Sequence, residues 1–481
     1  MNLPMAISRA DLASLAPELV LTGFGILVLL LDAFLPRWKA LATPLTLLAL
    51  AGAAWTAPGF GGASASFHGL IEATPVTWAA TQIVLLTAVI SLLAAHGYLK
   101  HEGILTGEYH ALFLWCVVGL TLMARARELL TIFLALELLS ICLYSLAGFH
   151  RRLAIATEAA LKYFLMGAFA SAFILYGVAL VYGATGTTEL AGIAGGMAAS
   201  GLAWPVWLGL ALLVAGFGFK MSLVPFHAWA PDAYQGAPTP FVAFLSVAPK
   251  AASAIVLLRV VEVTTVTAGG PDWSSLIAAL AVASMLVGNL LALVQRDIKR
   301  MLAYSGIAHM GYLLIPLVTL NDASWRAVLV YLLAYALMNA GAFAIVAVLY
   351  RRPGEQHLIS ELSGWGYRFP LLGACLTVCM VSLGGIPPTF GFIGKYLVFL
   401  QAVETGHLGL VLVGVVTSLL GVYYYLRVVY TLYMKAEERA PEGLRLDVAG
   451  RVAAVVAALA TLLLGLWPTR LLAWLLAAVP G

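Results

Sequence analysis

Residues 129–149, LLTIFLALELLSICLYSLAGF, form an apolar run that is long enough to cross a bilayer and carries one charged side chain, Glu137, near its middle. About 20 apolar residues span the hydrocarbon core as an α-helix. The rest of the chain has the same character, because 62% of its 481 residues are hydrophobic and only 10% are charged. Ordinary soluble domains carry roughly 25% charged residues. We therefore predict a protein whose solvent is lipid.

Apolar segments recur along the whole chain, and they lack the short alternating pattern of strands in a membrane β-barrel. Helices are the remaining way to satisfy backbone hydrogen bonds in lipid. The sequence therefore predicts an all-α polytopic membrane protein. Its roughly fourteen transmembrane helices are expected at residues 17–35, 41–57, 76–96, 110–124, 128–148, 155–183, 203–230, 239–262, 274–294, 301–320, 325–350, 370–402, 408–433 and 450–475.

The distribution of Lys and Arg between alternate loops predicts the orientation of these helices. One side holds Arg37, Lys39, Lys100, Arg151, Arg152, Arg296, Lys299, Arg300, Arg351, Arg352, Arg368, Lys435, Arg439, Arg445 and Arg451. The other side holds Arg9, Arg125, Arg127, Arg259, Arg326 and Arg470. We therefore expect the first side to be cytoplasmic and both termini to lie outside. The net charge of +4 is spread along the chain, which argues against nucleic-acid binding.

Several charged side chains remain inside the predicted helices, where each costs at least about 2.5–3.5 kcal/mol on insertion scales. They are Glu137, Lys162, Lys220, Lys250, Lys395 and Arg427. Arg427 lies near the cytoplasmic end of its helix and can snorkel, so we interpret it as structural. Glu137 and Lys162 fall at comparable depth on successive helices. Either a static ion pair or a carboxylate that tunes the proton affinity of a lysine fits this placement.

Two of the predicted helices are interrupted beside a lysine. Lys220 precedes Pro225, whereas Lys395 follows Pro387 and Pro388. Interrupted spans in separate halves are typical of inverted-repeat transporters, whose sites lie near the membrane midplane. We predict a three-helix segment at 1–109, inverted five-helix repeats at 110–265 and 272–435, and a C-terminal helix at 448–481.

Two histidines accompany the lysines. His227 follows Lys220 by seven residues, or two helical turns, so both would face one interior path if the helix kinks only mildly. His309 lies well inside its helix and is suited to pass a proton near neutral pH. The alternative for each is a packed core histidine, with Tyr304 or Ser305 as the hydrogen-bond partner of His309.

The sequence contains none of the common signatures of a cofactor site. Its four cysteines lie in apolar runs without metal-ligand spacing, so they are interpreted as packing residues. No phosphate loop, dinucleotide fingerprint or iron–sulfur cysteine set occurs. We therefore predict no metal site, bound cofactor or redox centre in this chain.

Two long motifs identify a resemblance. The segments KMSLVPFHAWAPDAYQGAPTPFVAFLS at 220–246 and SLGGIPPTFGFIGK at 382–395 resemble the antiporter-like membrane subunits of respiratory complex I, and the resemblance covers nearly the whole chain. Within that family, subunit M is expected to carry glutamate at the position of Lys395, and subunit L is expected to be much longer. The resemblance implies fourteen helices with two inverted repeats, and a proton-pumping module in the bacterial cytoplasmic membrane.

The resemblance also implies proton-transfer roles for Glu137, Lys162, Lys220, His227, Lys250, His309 and Lys395. In this scheme Lys220 takes up a proton from the cytoplasm, Lys250 and His309 relay it, and Lys395 releases it outward. NADH, FMN, iron–sulfur clusters and quinone would bind partner subunits, and subunits M, K and J would be membrane neighbours. A Mrp-type cation/proton antiporter subunit is the alternative function. A purely structural spacer, the third possibility, would not need four buried lysines.

Overall fold

The computed structural model describes residues 8–57, 64–266, 272–318, 320–349, 357–435 and 447–478. Four cations used for the orientation, Arg351, Arg352, Arg439 and Arg445, lie outside the described residues, as does part of the outer loop that follows residue 57. The described part is almost entirely helical and contains one small antiparallel sheet, β1 (Ser64–Ser66) with β2 (Ile71–Ala73). The predicted all-α fold class is confirmed.

The helices fall into four groups along the chain. The N-terminal group consists of α1 (Arg9–Ser14), α2 (Ala16–Phe34), α3 (Ala42–Thr56) and α4 (Pro75–His101). The second consists of α5 (Gly107–Arg125), α6 (Leu129–Ala147), α7 (Ala154–Thr185), α8 (Ile193–Ser200), α9 (Ala203–Met221), α10 (Trp229–Gly236), α11 (Thr239–Leu245) and α12 (Ala248–Val266). The third consists of α13 (Trp273–Val294), α14 (Ile298–Leu314), α15 (Asp322–Tyr335), α16 (Gly341–Leu349), α17 (Trp365–Arg368), α18 (Pro370–Gly384), α19 (Phe390–Glu404) and α20 (Leu408–Met434). The chain ends with α21 (Val448–Leu466) and α22 (Thr469–Ala478).

The predicted spans correspond to these helices. In the described part, 11 helices are long and apolar enough to cross a membrane. The remaining predicted spans correspond to α3, to α14 and to the pair α18 and α19, which are shorter. Three spans differ from the prediction. The span expected at 203–230 ends at Met221, the span expected at 239–262 is interrupted between Leu245 and Ala248, and the span expected at 450–475 is divided between Leu466 and Thr469.

Local sequence explains where several helices begin. At α4, the Thr74 side chain accepts a hydrogen bond from the Thr77 backbone N–H, and the Thr77 side chain bonds the Thr74 backbone in return. Asn321 and Ser324 form the same reciprocal cap at α15. Such capping boxes satisfy backbone donors that would otherwise lack partners at a helix N-terminus.

The centre of the bundle is formed by two spans with irregular backbone, α11 with α12 and α15 with α16. In the most apolar 18-residue stretch of Thr239–Val263, 100% of the residues are buried, and in that of Asp322–Leu349 94% are buried, whereas the corresponding share in Ala154–Thr185 at the periphery is only 33%. A π-helical turn, Ala336–Ala340, joins α15 to α16, and such turns are frequent at functional sites. The interior helices therefore combine extensive burial with irregular backbone.

Both predicted interrupted helices are confirmed. Helix α9 ends at Met221, where Ser222 adopts a left-handed backbone with φ +61°, and helical structure resumes at Trp229. Helix α18 ends in the same way at Gly385, with φ +75°, and α19 follows. Each break stops a helix within the bundle and leaves its last carbonyl groups to be satisfied by side chains.

Candidate functional site

Lys220 lies in the last turn of α9 and is only 2% exposed. Its Nζ donates hydrogen bonds to Ser140 Oγ at 2.7 Å and to Tyr144 OH at 3.4 Å. Both partners belong to α6. The C-terminal end of a helix carries partial negative charge, which favours an ammonium there. Neutral oxygens and a helix end therefore hold this buried lysine.

Glu137 lies near Lys220 but does not form an ion pair with it. Its Oε1 accepts a hydrogen bond from Ser171 Oγ at 2.5 Å, while the ammonium contacts Ser140, one turn after Glu137 on α6. The carboxylate is close enough to act electrostatically on Lys220. Of these two α6 residues, Ser140 therefore makes the direct contact with the Lys220 ammonium.

The prediction that Lys162 lies beside Glu137 is wrong. The Lys162 side chain is 46% exposed and forms ion pairs with Glu158 at 2.8 Å and with Asp232 at 3.0 Å. Asp232 also pairs with Arg300 at 2.7 Å, in the first turn of α14. The long lysine side chain thus reaches towards Asp232, which lies far away in sequence. Lys162 belongs to a partly exposed ion cluster.

His227 is not aligned with Lys220 on one helix face, contrary to the sequence-based expectation. Because α9 ends at Met221, residues 222–228 are not helical and the two-turn spacing does not apply. His227 is partly buried, and within the described chain no side-chain hydrogen bond joins it to Lys220. Its participation in a proton path stays a prediction.

Lys250 lies in the first turn of α12, at the centre of the bundle, and is 0% exposed. Within the described residues, its Nζ has no hydrogen-bond partner and forms no ion pair. The Nζ lies 5.6 Å from the centre of the Tyr234 ring, within the range of a cation–π contact. A buried ammonium without a counter-charge costs free energy, and this cost is relieved when the amine gives up its proton.

His309 lies between tyrosine hydroxyls rather than beside the partners considered from sequence. Its Nδ1 is 2.7 Å from Tyr331 OH and its Nε2 is 3.1 Å from Tyr425 OH. Ser305 instead hydrogen-bonds Tyr425, so the hydroxyl partners of His309 are Tyr331 and Tyr425 and not Tyr304 or Ser305, which the alternative interpretation named. In a neutral imidazole one nitrogen donates and the other accepts. His309 can therefore accept a proton on one side and donate one on the other.

Lys395 lies beyond the second break and is 5% exposed. Its Nζ donates to the backbone oxygens of Leu383 at 3.1 Å and Gly384 at 3.2 Å, and to Ser418 Oγ at 2.8 Å. These carbonyls are the last of α18, so the ammonium lies at the negative end of an interrupted helix. The Tyr312 ring is 5.1 Å away.

Three of the site residues predicted from the sequence, Lys250, His309 and Lys395, lie in one group. The Tyr312 ring lies 5.1 Å from Lys395 Nζ and 5.9 Å from the His309 ring, and Lys250 Nζ lies beside Gly306, one turn before His309 on α14. In the described structure, by contrast, no hydrogen bond joins Lys220 to Lys250. The selected residues thus form two groups, one around Lys220 and Glu137 and the other around His309.

Hydroxyl side chains that sequence analysis did not select make most of the direct contacts. They are Ser140, Tyr144, Tyr331, Ser418 and Tyr425, which hydrogen-bond a lysine or the histidine, together with Tyr335, whose ring packs against His309. A partial signal existed for two of them, because residues four apart on a helix share one face. Tyr331 and Tyr335 have this spacing in a strongly apolar run. The others are separated in sequence from the lysine or histidine that they contact.

Two other cations within the bundle have structural contacts. Lys299, assigned from sequence to a cytoplasmic loop, is 2% exposed and donates to the backbone oxygens of Gln235 and Ala237. Arg427 donates to the backbone oxygens of Leu293 and Gln295, in agreement with its structural interpretation. Both side chains satisfy carbonyls at helix ends.

The cysteines are buried and form no disulfide. This holds for Cys116, Cys142, Cys375 and Cys379. Within the ranges that the structure describes, no group of three or more His, Cys, Asp or Glu side chains is arranged to hold a metal ion.

Known proteins resemble this chain in sequence. Residues 126–421 match the family model described as NADH:quinone oxidoreductase/Mrp antiporter, TM. The chain is 40% identical over 475 residues to NADH-quinone oxidoreductase subunit N of Trichlorobacter lovleyi, covering 98% of this chain and 97% of that protein.

Two solved structures share the fold. A chain of respiratory complex I from Thermus thermophilus with bound aureothin is 36% identical, with a TM-score of 0.81 over 96% of this chain and 100% of that chain. A chain of the Mrp complex from Dietzia sp. DQ12-45-1b is 21% identical, with a TM-score of 0.84 over 98% of this chain and 97% of that chain. At 21% identity the second likeness concerns the fold alone.

Proposed function

The chain belongs to the NADH-quinone oxidoreductase subunit N family, and from this premise we propose that its buried lysines carry protons through the membrane arm of respiratory complex I. Membership of the family makes it a proton-translocating membrane subunit. The residues that transfer the protons are our proposal. They are Glu137, Lys220, Lys250, His309 and Lys395, with His227 and Lys162 in accompanying positions.

The proposal rests on the environment of the three central lysines, which are buried without a direct counter-charge. Lys220, Lys250 and Lys395 are each at most 5% exposed, and none of them forms an ion pair within the described residues. A structural role would favour pairing each buried cation with a carboxylate, as Arg125 pairs with Glu18. Buried amines without a direct counter-charge are suited to exchange protons, because the neutral form avoids the cost of desolvation.

The proposed path runs from the group around Lys220 and Glu137 to the group around His309. Lys220 takes up a proton on the cytoplasmic side, under the influence of Glu137, and Lys250 receives it at the centre of the bundle. His309 passes it between the hydroxyls of Tyr331 and Tyr425. Lys395 then releases it on the outer side. Separation of Glu137 from Lys220, driven by quinone reduction elsewhere in the complex, would favour release from Lys220.

We propose that this chain contains no redox centre. NADH, FMN, iron–sulfur clusters and quinone would bind partner subunits, and subunits M, K and J would be its membrane neighbours. The partly exposed apolar side chains of α7, such as Phe169 at 70% exposure, provide a lateral surface on which a neighbouring membrane subunit or lipid can pack.

The location and internal division of the chain are further parts of the proposal. The excess of Lys and Arg in alternate loops supports placing the protein in the bacterial cytoplasmic membrane with both termini outside. The occurrence of one lysine beside each interrupted helix supports inverted repeats at 110–265 and 272–435. Segments 1–109 and 448–481 would flank these repeats.

The test is to replace individual charged residues in the assembled complex. We expect Lys220→Ala and Lys395→Ala to lower NADH:quinone turnover and proton pumping strongly while the complex still assembles. Glu137→Ala should also lower turnover, because Lys220 loses its nearby carboxylate. His309→Ala should have a milder effect. Lys100→Ala, at an exposed position, is the matched control and should leave activity unchanged.

The outcomes separate the proposal from its alternatives. Full coupled activity in both Lys220→Ala and Lys395→Ala would contradict the proton-transfer role and favour a structural spacer. Sodium-dependent transport by the isolated chain would favour the Mrp-type alternative. That alternative has less support, because the relationship to the Mrp complex extends only to the fold.

A further inference from the structure

A half-open apolar cavity of about 410 Å³ lies between α4, α15 and α22. Its walls include Trp78 and Leu86 on α4, Leu329 and Leu333 on α15, and Trp474 on α22. Ligand pockets usually have volumes of about 300–1,000 Å³ and walls that are mostly apolar. The cavity is therefore large enough to hold a ligand, and the part of the ligand inside it must be apolar.

The amide side chain in the cavity wall is already engaged by the protein. Gln82 Nε2 donates a hydrogen bond to the backbone oxygen of Ala54 on α3 at 3.2 Å. Cavities with apolar walls do not attract water, and atoms that face empty space lose their dispersion contacts. A hydrocarbon chain in this cavity would restore those contacts, because it needs no hydrogen-bond partner.

The cavity extends along the helices by about the thickness of one lipid leaflet. Helix α4 begins at Pro75 and α15 at Asp322. At a rise of about 1.5 Å per residue, the lining residues Leu86 and Leu333 each lie about 17 Å from these helix starts. The hydrocarbon core of a bilayer is about 30 Å thick, so one leaflet contributes about 15 Å. An acyl chain that enters beside the helix starts would therefore fit the length of the cavity.

Two arginines lie towards the end of the cavity where these helices begin. Arg326 precedes Leu333 by seven residues and lies on the same face of α15, and its Nε is buried without a hydrogen-bond partner in the described structure. Arg470 is exposed and precedes Trp474 by four residues on α22. Within the ranges that the structure describes, neither guanidinium pairs with a carboxylate, although Asp322 lies one turn before Arg326.

Two tryptophans that line the cavity are close to each other. Trp78 belongs to the first turn of α4, and its ring centre lies 5.1 Å from that of Trp474. Tryptophan is enriched at the level of the lipid headgroups, and a guanidinium binds phosphate through paired hydrogen bonds. The cavity thus combines an apolar interior with a positively charged end that suits a phosphate group.

We propose that this cavity holds one acyl chain of a phospholipid from the leaflet in which α4 and α15 begin, and that Arg326 binds the phosphate of this lipid. Arg470 adds a second positive charge at the start of α22. A quinone tail would also fill the apolar part, but it would leave the Arg326 guanidinium without an anion. The lining residues do not belong to the proposed proton path, so the two proposals are independent.

The test is photo-crosslinking of the assembled complex in liposomes that contain a small fraction of phosphatidylglycerol with a diazirine in its acyl chain. Mass spectrometry of the digested chain locates the labelled residues. We expect labels within residues 78–86 and 329–333, in greater yield than on the exposed face of α3. Labelling of these residues that is no stronger than on α3 would overturn the proposal.

Two pairs of variants test the two ends of the site. Ala79→Phe fills the cavity from the α4 wall and should abolish the labelling, whereas Ala51→Phe, at an exposed position on α3, is the matched control and should leave it unchanged. Arg326→Gln should lower the labelling about tenfold, the factor that corresponds to the loss of one charged hydrogen bond. Arg326→Lys should retain most of it, because lysine also binds phosphate.

Arg326→Gln keeps the proposal testable if Ala79→Phe does not fold, because it alters a residue near the start of a helix and leaves the wall of the cavity intact. Equal labelling in wild type and Arg326→Gln would overturn the proposal. Labelling by a quinone with a diazirine in its tail, in place of the phospholipid, would also overturn it. A map of the complex should show acyl-chain density that ends at Arg326, and a side chain of a neighbouring subunit in the cavity would contradict the assignment.

Discussion

Replacing Lys250 by methionine should stabilise the protein while it removes proton transfer. Methionine has nearly the length of lysine and is apolar. Lys250 Nζ is completely buried and has no protein hydrogen-bond partner or ion pair within the described residues. Removing an unsatisfied buried polar group of this kind is expected to raise the free energy of unfolding by about 1–3 kcal/mol.

Lys299 provides a matched control with the opposite expected sign. It is as buried as Lys250, but its Nζ donates to the backbone oxygens of Gln235 at 2.9 Å and Ala237 at 2.8 Å. Lys299→Met would leave both carbonyls without this donor. We expect it to lower the free energy of unfolding by about 2–4 kcal/mol.

The assay is unfolding of the full-length chain in detergent micelles by sodium dodecyl sulfate, followed by tryptophan fluorescence. The chain contains 12 tryptophans that can report the transition. Lys250→Met should shift the midpoint to higher denaturant and Lys299→Met to lower denaturant. A loss of stability in Lys250→Met comparable to that in Lys299→Met would refute the reasoning, because it would show that the Lys250 ammonium has stabilising contacts in the folded chain.

Three further predictions concern other sites. Glu18→Ala should lower the free energy of unfolding by about 3–5 kcal/mol in the same titration. The reason is that the Arg125 guanidinium, which is 2% exposed, loses its carboxylate partner at 3.0 Å. A change below about 1 kcal/mol would argue against a stabilising role of this pair. Ser140→Ala should lower the turnover of the complex, because Lys220 loses its 2.7 Å hydrogen bond, and unchanged turnover would remove Ser140 from the site. Hydrogen bonds from Ser274 and Ser275 lower the pKa of Asp272 to about 2, so Asp272→Asn should be less stable than wild type above about pH 4. This difference should shrink as the pH falls towards 2, and a pH-independent difference would contradict it.

The sequence was sufficient to predict the helices and the two interrupted spans. Apolar length determines a membrane helix in lipid, and the prolines and glycines around Lys220 and Lys395 mark where hydrogen bonding is broken. Both signals are local. They do not depend on how the helices pack, which is why they agree with the structure.

Features set by tertiary contact could not be predicted in this way. Lys162 is placed by Asp232 from a distant segment, and a long side chain can adapt to such a partner whatever its depth in the helix. Lys299 resembled a loop residue because it lies in the first turn of α14, yet the carbonyls that it satisfies belong to residues 235 and 237.

The most direct test of the proton path is the number of protons moved per NADH oxidised by the complex in sealed liposomes. The decisive variant replaces Lys220, Lys250 and Lys395 together by methionine, and the exposed Lys39→Met and Lys100→Met changes are the control for loss of lysine charge. We predict a lower ratio in the triple variant and an unchanged ratio in the control. A wild-type ratio in the triple variant would contradict the claim that these buried lysines hand on protons.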